Sequence, residues 1–127
     1  MLDTRFEVVA GNGFKPGKNN YFIHGSLINK PYMKIRRPWK FFAKKVKMKQ
    51  IKHIEVASEE AVQRLGGQVG WGVAGAALLG PAGLLVGLLR GGKDKNTTFV
   101  CELKDGKRFI AIAPTAMWKE IQAATFK

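Results

Sequence analysis

The residue order predicts an α+β fold in one domain: seven strands, a glycine-rich helical hairpin inserted over 59–92, and a C-terminal helix. Three observations carry this expectation. Short β-prone runs recur before the insertion and again after it. Between Arg64 and Arg90 lie twenty-five residues without a charge, eight of them glycine. Near the C-terminus an Asp-Gly pair separates two further β-prone runs, a strong hairpin signature. At 127 residues with 46% hydrophobic content, the chain can bury one core but not two ordinary ones.

Residues 5–10 (RFEVVA) form the first expected strand, closed by Gly11-Asn12-Gly13, and Pro16-Gly17 with Asn19-Asn20 reads as a loop. Residues 21–28 are the second strand. Residues 32–37 are the third, ending at Pro38, which lacks the donor a ladder needs. Over 44–50 the alternation is strict, with Val46 and Met48 on one face and Lys45, Lys47 and Lys49 on the other, as in a half-buried strand with a lysine face toward solvent. Residues 51–56 follow as a fifth strand with Ile54 and Val56 inward. Ser58-Glu59-Glu60 then supplies a serine N-cap and first-turn carboxylates for a helix carrying Ala61, Val62 and Leu65 inward.

Inside the uncharged segment Gly80-Pro81 makes a break, with Pro81 suited to the first turn of a second helix, and Gly91-Gly92 ends it. Small residues recur four apart, as in Gly66, Gly70, Ala74 and in Gly83, Gly87, a spacing that lets another backbone approach closely. A continuous helix of this length would span about 37 Å, enough to cross a bilayer core of about 30 Å. Pro81 and the glycines weaken that reading. One crossing would also separate strands expected to share a sheet. A hairpin packed on its own domain or on a copy of it, and a hairpin dipping into a membrane with Trp71 in its first arm, both fit the pattern.

Beyond the insertion, 97–104 and 107–113 flank Asp105-Gly106, whose residues tolerate the positive φ of a two-residue type I′ turn. Cys101 falls mid-strand on the face of Phe99 and Leu103, as a buried structural thiol. Pro114-Thr115 opens the last helix, with Thr115 as N-cap and Met117, Ile121, Ala124 and Thr125 on one stripe.

Net charge is +13, from 22 basic and 9 acidic residues. So large a charge on a small body favours an anionic partner and lowers stability by self-repulsion. Lys30, Lys34, Arg36, Arg37, Lys40, Lys44, Lys45, Lys47, Lys49 and Lys52 fall in one acid-free stretch with Trp39, Phe41 and Phe42 interleaved. Such a mixture suits phosphates with stacked bases, an anionic lipid interface, or a solvated lysine face over buried aromatics. The residues singled out for anion, lipid or partner binding are Lys34, Arg36, Arg37, Trp39, Lys40, Lys44 and Lys45.

Catalytic signals are thin. With His24, His53 and a single cysteine the chain offers no typical zinc set, so no metal and no cofactor is expected. Neither a nucleophile elbow nor a phosphate loop is present. The expectation is a protein that is not an enzyme. A cleft bringing His24 or His53 within bonding range of a carboxylate, or an unbroken helical rod over 60–90, would overturn it. One cysteine, with Asp3 and Glu7 where a signal peptide would be apolar, points to the cytoplasm, and the basic run and apolar hairpin leave room for a peripheral position at the inner face of the membrane.

Seven strands followed by one helix resemble the pleckstrin-homology-like and GRAM-like superfold. The resemblance is carried by KMKQIKHIEVASEE (47–60), GGQVGWGVAGAALLGPAGLLVGLLRGG (66–92) and TTFVCELKDGKRFIAIA (97–113). It is closest in kind to small bacterial or phage proteins with a glycine-zipper hairpin. It implies a single domain over 1–127, an antiparallel barrel or sandwich capped by the terminal helix, and binding of phosphoinositides, other anionic lipids or peptides. The hairpin between the fifth and sixth strands departs from the plain superfold.

The function expected is therefore a binding module that docks through its basic face, with help from the apolar hairpin, on an anionic membrane or an acidic protein surface. Two alternatives stay open: a phage-type anti-defence inhibitor of a nucleic-acid-handling complex, and direct nucleic-acid binding. Self-association through the hairpin (Gly66, Gly70, Trp71, Ala74, Gly80, Pro81, Gly83, Gly87) is also expected.

Overall fold

The computed structural model describes residues 5–15, 17–25, 27–28, 30–37, 43–65 and 96–125. Trp39, Lys40 and the glycine-zipper hairpin over 66–92 lie outside the described residues, and so do the expectations placed on them.

Seven strands make one continuous antiparallel sheet: β1 (Arg5–Asn12), β2 (Gly17–Ile23), β3 (Tyr32–Ile35), β4 (Lys44–Lys47), β5 (Ile51–Val56), β6 (Asn96–Leu103) and β7 (Arg108–Pro114). Their spatial order is β4-β3-β2-β1-β7-β6-β5. The outermost strands, β4 and β5, are consecutive in the chain, joined only by a 3₁₀ turn, Met48–Gln50. Three 3₁₀ residues rise about 6 Å, whereas seven strands laid flat would separate the edges by about 29 Å. The sheet must therefore curl, and it forms a half-barrel. Register shifts in β1, against β2 and again against β7, bend the strand shared by the two halves.

The half-barrel encloses Phe6, Val8, Phe22, Met33, Ile35, Val46, Phe99, Cys101, Leu103 and Phe109, all buried. Helix α2 (Thr115–Thr125) adds Met117, Trp118 and Ile121 to this core. Trp118, absent from the stripe expected, stacks on Phe99 at 5.0 Å between ring centroids. The corner is fastened where β4 meets β5. The Lys104 N–H donates to the Gln50 carbonyl at 2.9 Å, and the Thr125 hydroxyl lies 3.9 Å from the Met48 sulfur.

Several strand boundaries differ from expectation, each for a visible reason. Gly11 and Asn12 continue β1, pairing with Phe109 and Arg108. A Cβ at Gly11 would lie 3.0 Å from the Phe109 Cβ, so the close approach of β1 to β7 needs glycine there. β2 starts at Gly17 rather than Tyr21 because Asn20 points inward and is satisfied. Its amide donates to the carbonyls of Gly17 at 2.8 Å and Phe6 at 3.5 Å, and its oxygen accepts the Arg36 N–H at 2.9 Å. β2 ends at Ile23, leaving Leu27 and Ile28 in the loop that follows. β4 stops at Lys47, where the Gln50 side chain caps the turn by accepting the Lys47 N–H at 2.7 Å. A register shift between Ile51 and His53 makes Ile51 and Ile54 the buried residues of β5, while Val56 at the strand end is 55% exposed.

The β6–β7 hairpin is present, but its connection is one residue longer than expected. Leu103 N–H donates to the Lys107 carbonyl at 2.8 Å and Gly106 N–H to the Leu103 carbonyl at 3.0 Å, with Gly106 at φ 92°. This is a three-residue loop with glycine in the left-handed position, rather than the two-residue turn. Helix α1 (Glu59–Leu65) begins as expected, the Ser58 hydroxyl accepting the Ala61 N–H at 3.0 Å.

The outer faces of the two halves differ. Val100 and Ile110, neighbours across β6–β7, are fully buried although they stand on the side opposite Phe99 and Cys101. α1 packs against β6 and has Ala61 and Val62 buried. On β2, β3 and β4 the outward residues Tyr21, Lys34, Lys45 and Lys47 are exposed.

Candidate functional site

Strand register assembles the exposed face. Arg5 pairs with Tyr21, Tyr21 with Lys34, and Lys34 with Lys45, giving one row across β1, β2, β3 and β4. All four are exposed, and the row spans about 14 Å at ordinary strand spacing. A second row runs from Ile23 through Tyr32 to Lys47. The Lys45 ammonium sits 4.3 Å from the centroid of the Tyr32 ring, a cation–π contact linking the two rows.

The second row opens into a groove of about 650 Å³. Lys30, Lys45, Lys47 and Lys49 line it, together with Ile28, Tyr32, Met48 and the end of α2. Lys30, Lys47 and Lys49 were outside the set singled out by sequence. The strict lysine alternation over 44–50 was the signal that could have found the last two. β4 ends at Lys47 and Lys49 follows in the 3₁₀ turn, and both line the groove.

Of the residues chosen from sequence, Lys34, Arg36 and Lys45 are exposed and Arg37 is half-buried. Arg36 is fixed through its backbone, its N–H held by Asn20 and its carbonyl accepting the Lys15 N–H at 2.8 Å. Lys44 departs from the group. It pairs across the ladder with buried Ile35, so it faces inward, and its ammonium reaches Asp105 at 3.5 Å at the tip of the β6–β7 hairpin. The carboxyl of Asp105 lies below the usual aspartate range, chiefly because it accepts the Lys107 N–H and secondarily because Lys44 and Lys107 are near.

Electrostatically the face is one-sided. Among the described residues, no carboxylate pairs with Lys30, Lys34, Lys45, Lys47 or Lys49. Lys34 and Lys45 stand directly opposite each other, an arrangement that weakens a strand pair.

Both histidines reach carboxylates. His24 Nδ1 lies 2.6 Å from Glu120, and His53 Nε2 lies 3.1 Å from Glu55, which Arg64 also contacts. The bonding-range part of the condition set for a catalytic reading is thus met at both histidines, on half-exposed side chains: the two histidines and their carboxylates are 31–43% exposed, and none lines the lysine groove. The first pair joins the end of β2 to α2; the second, with Arg64, joins β5 to α1. Cys101 is buried among core side chains, and that burial pushes its thiol far above the ordinary range. No group of three potential metal ligands gathers among the described residues. No described helix is long and apolar enough to cross a membrane. No family model, curated protein or solved structure matches this chain.

Proposed function

We propose that the chain is a non-enzymatic binding module of pleckstrin-homology-like fold that docks through the outer face of β1–β4 on an anionic membrane surface. The observation that carries this reading is the set of lysines on β3, β4 and the 3₁₀ turn that no described carboxylate offsets, with Lys34 opposite Lys45. Repulsion of this kind weakens the free protein and is relieved when an anion sits between the charges. The strand order, one antiparallel meander on each side of the β1–β7 pair with a terminal helix packed into the core, supports the fold resemblance.

The test is co-sedimentation with phosphatidylcholine vesicles, with and without phosphatidylserine. Each lysine near such a surface contributes about 1 kcal/mol. Replacing Lys34, Lys45 and Lys47 together by glutamine then weakens binding roughly a hundredfold. Equal binding to neutral vesicles, or a triple variant that binds like the parent, refutes membrane docking through this face. Tyr21, 38% exposed between Arg5 and Lys34, favours single-stranded nucleic acid as a second reading, since an aromatic among cations can stack a base. A gel shift with single-stranded oligonucleotide that fades steeply with salt and is lost in Tyr21→Ala supports it; a flat salt response removes it.

A further inference from the structure

Between β2 and β3 the chain turns through a loop in which Leu27 and Ile28 are 106% and 91% exposed. They are two of the four large hydrophobic residues exposed among the described positions, and the only adjacent pair. Single exposed aliphatic residues are ordinary on protein surfaces. Two neighbours at full exposure, on a loop beside a lysine groove, form an amphipathic edge. Ile28 itself lines the groove together with Lys30, Lys45, Lys47 and Lys49.

We infer that Leu27 and Ile28 are a membrane-insertion wedge, entering the acyl boundary of an anionic bilayer while the adjoining groove takes a phosphorylated headgroup. The inference rests on the docking function proposed above and names the element that distinguishes a lipid phase from any other polyanion. Charge complementarity selects the occupant, because the surroundings of the wedge are basic and no described carboxylate offsets them. Size supports the same choice. A stable protein interface buries roughly 1,200 Å² or more, far beyond what two side chains supply, whereas an interfacial anchor needs only a small apolar element coupled to cationic neighbours. The groove, about 650 Å³, falls in the range that holds small ligands.

The experiment uses the full chain with a polarity-sensitive fluorophore on Leu27→Cys. Cys101 is buried with its thiol pushed up, so labelling is confined to the loop. Phosphatidylserine vesicles are expected to shift the emission to the blue, and soluble polyphosphate to bind without a shift. In a second arm, Leu27→Ser, at the wedge residue that does not line the groove, lowers vesicle affinity roughly tenfold, with polyphosphate affinity and melting temperature unchanged. Vesicle binding unaffected by Leu27→Ser, with no emission shift, overturns the wedge and leaves docking through the lysines standing. Failure of the unaltered chain to bind anionic vesicles overturns both. A blue shift that grows with protein concentration in the absence of vesicles assigns the loop to a second copy of the chain and also overturns the wedge.

Discussion

Replacing Asn20 by leucine should destabilise the fold although it puts a more hydrophobic residue of similar size into a buried site. Asn20 is fully buried, and its amide group holds the Gly17 carbonyl, the Arg36 N–H and, at longer range, the Phe6 carbonyl. Leucine leaves the two closer partners unsatisfied, at about 1–3 kcal/mol each. Its own burial offsets about 1 kcal/mol of that loss. The net effect is about 1–5 kcal/mol, at its upper end a large part of the 5–15 kcal/mol typical of a domain. For a chain of this length each kcal/mol moves the melting temperature by about 4 °C, so the expected drop is about 4–20 °C. The measurement is thermal unfolding followed by circular dichroism, with urea titration to confirm an unchanged m-value. Asn19→Leu is the control, because Asn19 is exposed on the same strand and the change there should stay within about 0.5 kcal/mol. If both variants melt together within error, the buried amide does not hold β2 to β1 and to the Arg36 backbone, and the reasoning fails.

Two further outcomes follow from the core and the hairpin. Trp118→Ala removes the ring stacked on Phe99 and should destabilise by about 3–5 kcal/mol, read as a lower urea midpoint; a loss below about 1 kcal/mol would mean α2 is not a core element. Asp105 has a folded pKa below its ordinary 3.8, so its stabilising contribution is present above that value and is lost as pH falls through the lower folded value. Asp105→Asn should therefore flatten the acid side of the melting-temperature profile below about pH 4; an unchanged acid limb would contradict this assignment.

Sequence reading worked best where local chemistry decides the structure. Ile51–Val56, the serine cap of α1, the buried Cys101 and a hairpin around Asp105-Gly106 all depend on neighbours close in the chain. It worked poorly where a distant partner decides. Asn20 reads as a loop residue until β1 and the segment after β3 supply its hydrogen bonds. Leu27 and Ile28 read as strand residues because they are aliphatic, yet β2 ends at Ile23 and leaves them at the surface. The candidate site shows the same division. The basic run was plain, but only the ladder separates inward Lys44 from outward Lys45 and sets Lys34 opposite the latter. Lys47 and Lys49 share a face in the alternation itself, but the groove they line also takes Lys30 and the end of α2 from distant parts of the chain.

The meeting of β4 and β5 at a three-residue corner also bears on how the molecule behaves in a crowded solution. An open sheet presents unpaired amides at its flanks, where a second chain can add and begin a fibril. Here one flank is only four residues long, three of them lysine, so each incoming strand would bring like charges into register. Two of these lysines, Lys45 and Lys47, belong to the face proposed above for docking, and they also act as gatekeepers against accretion of the protein onto itself.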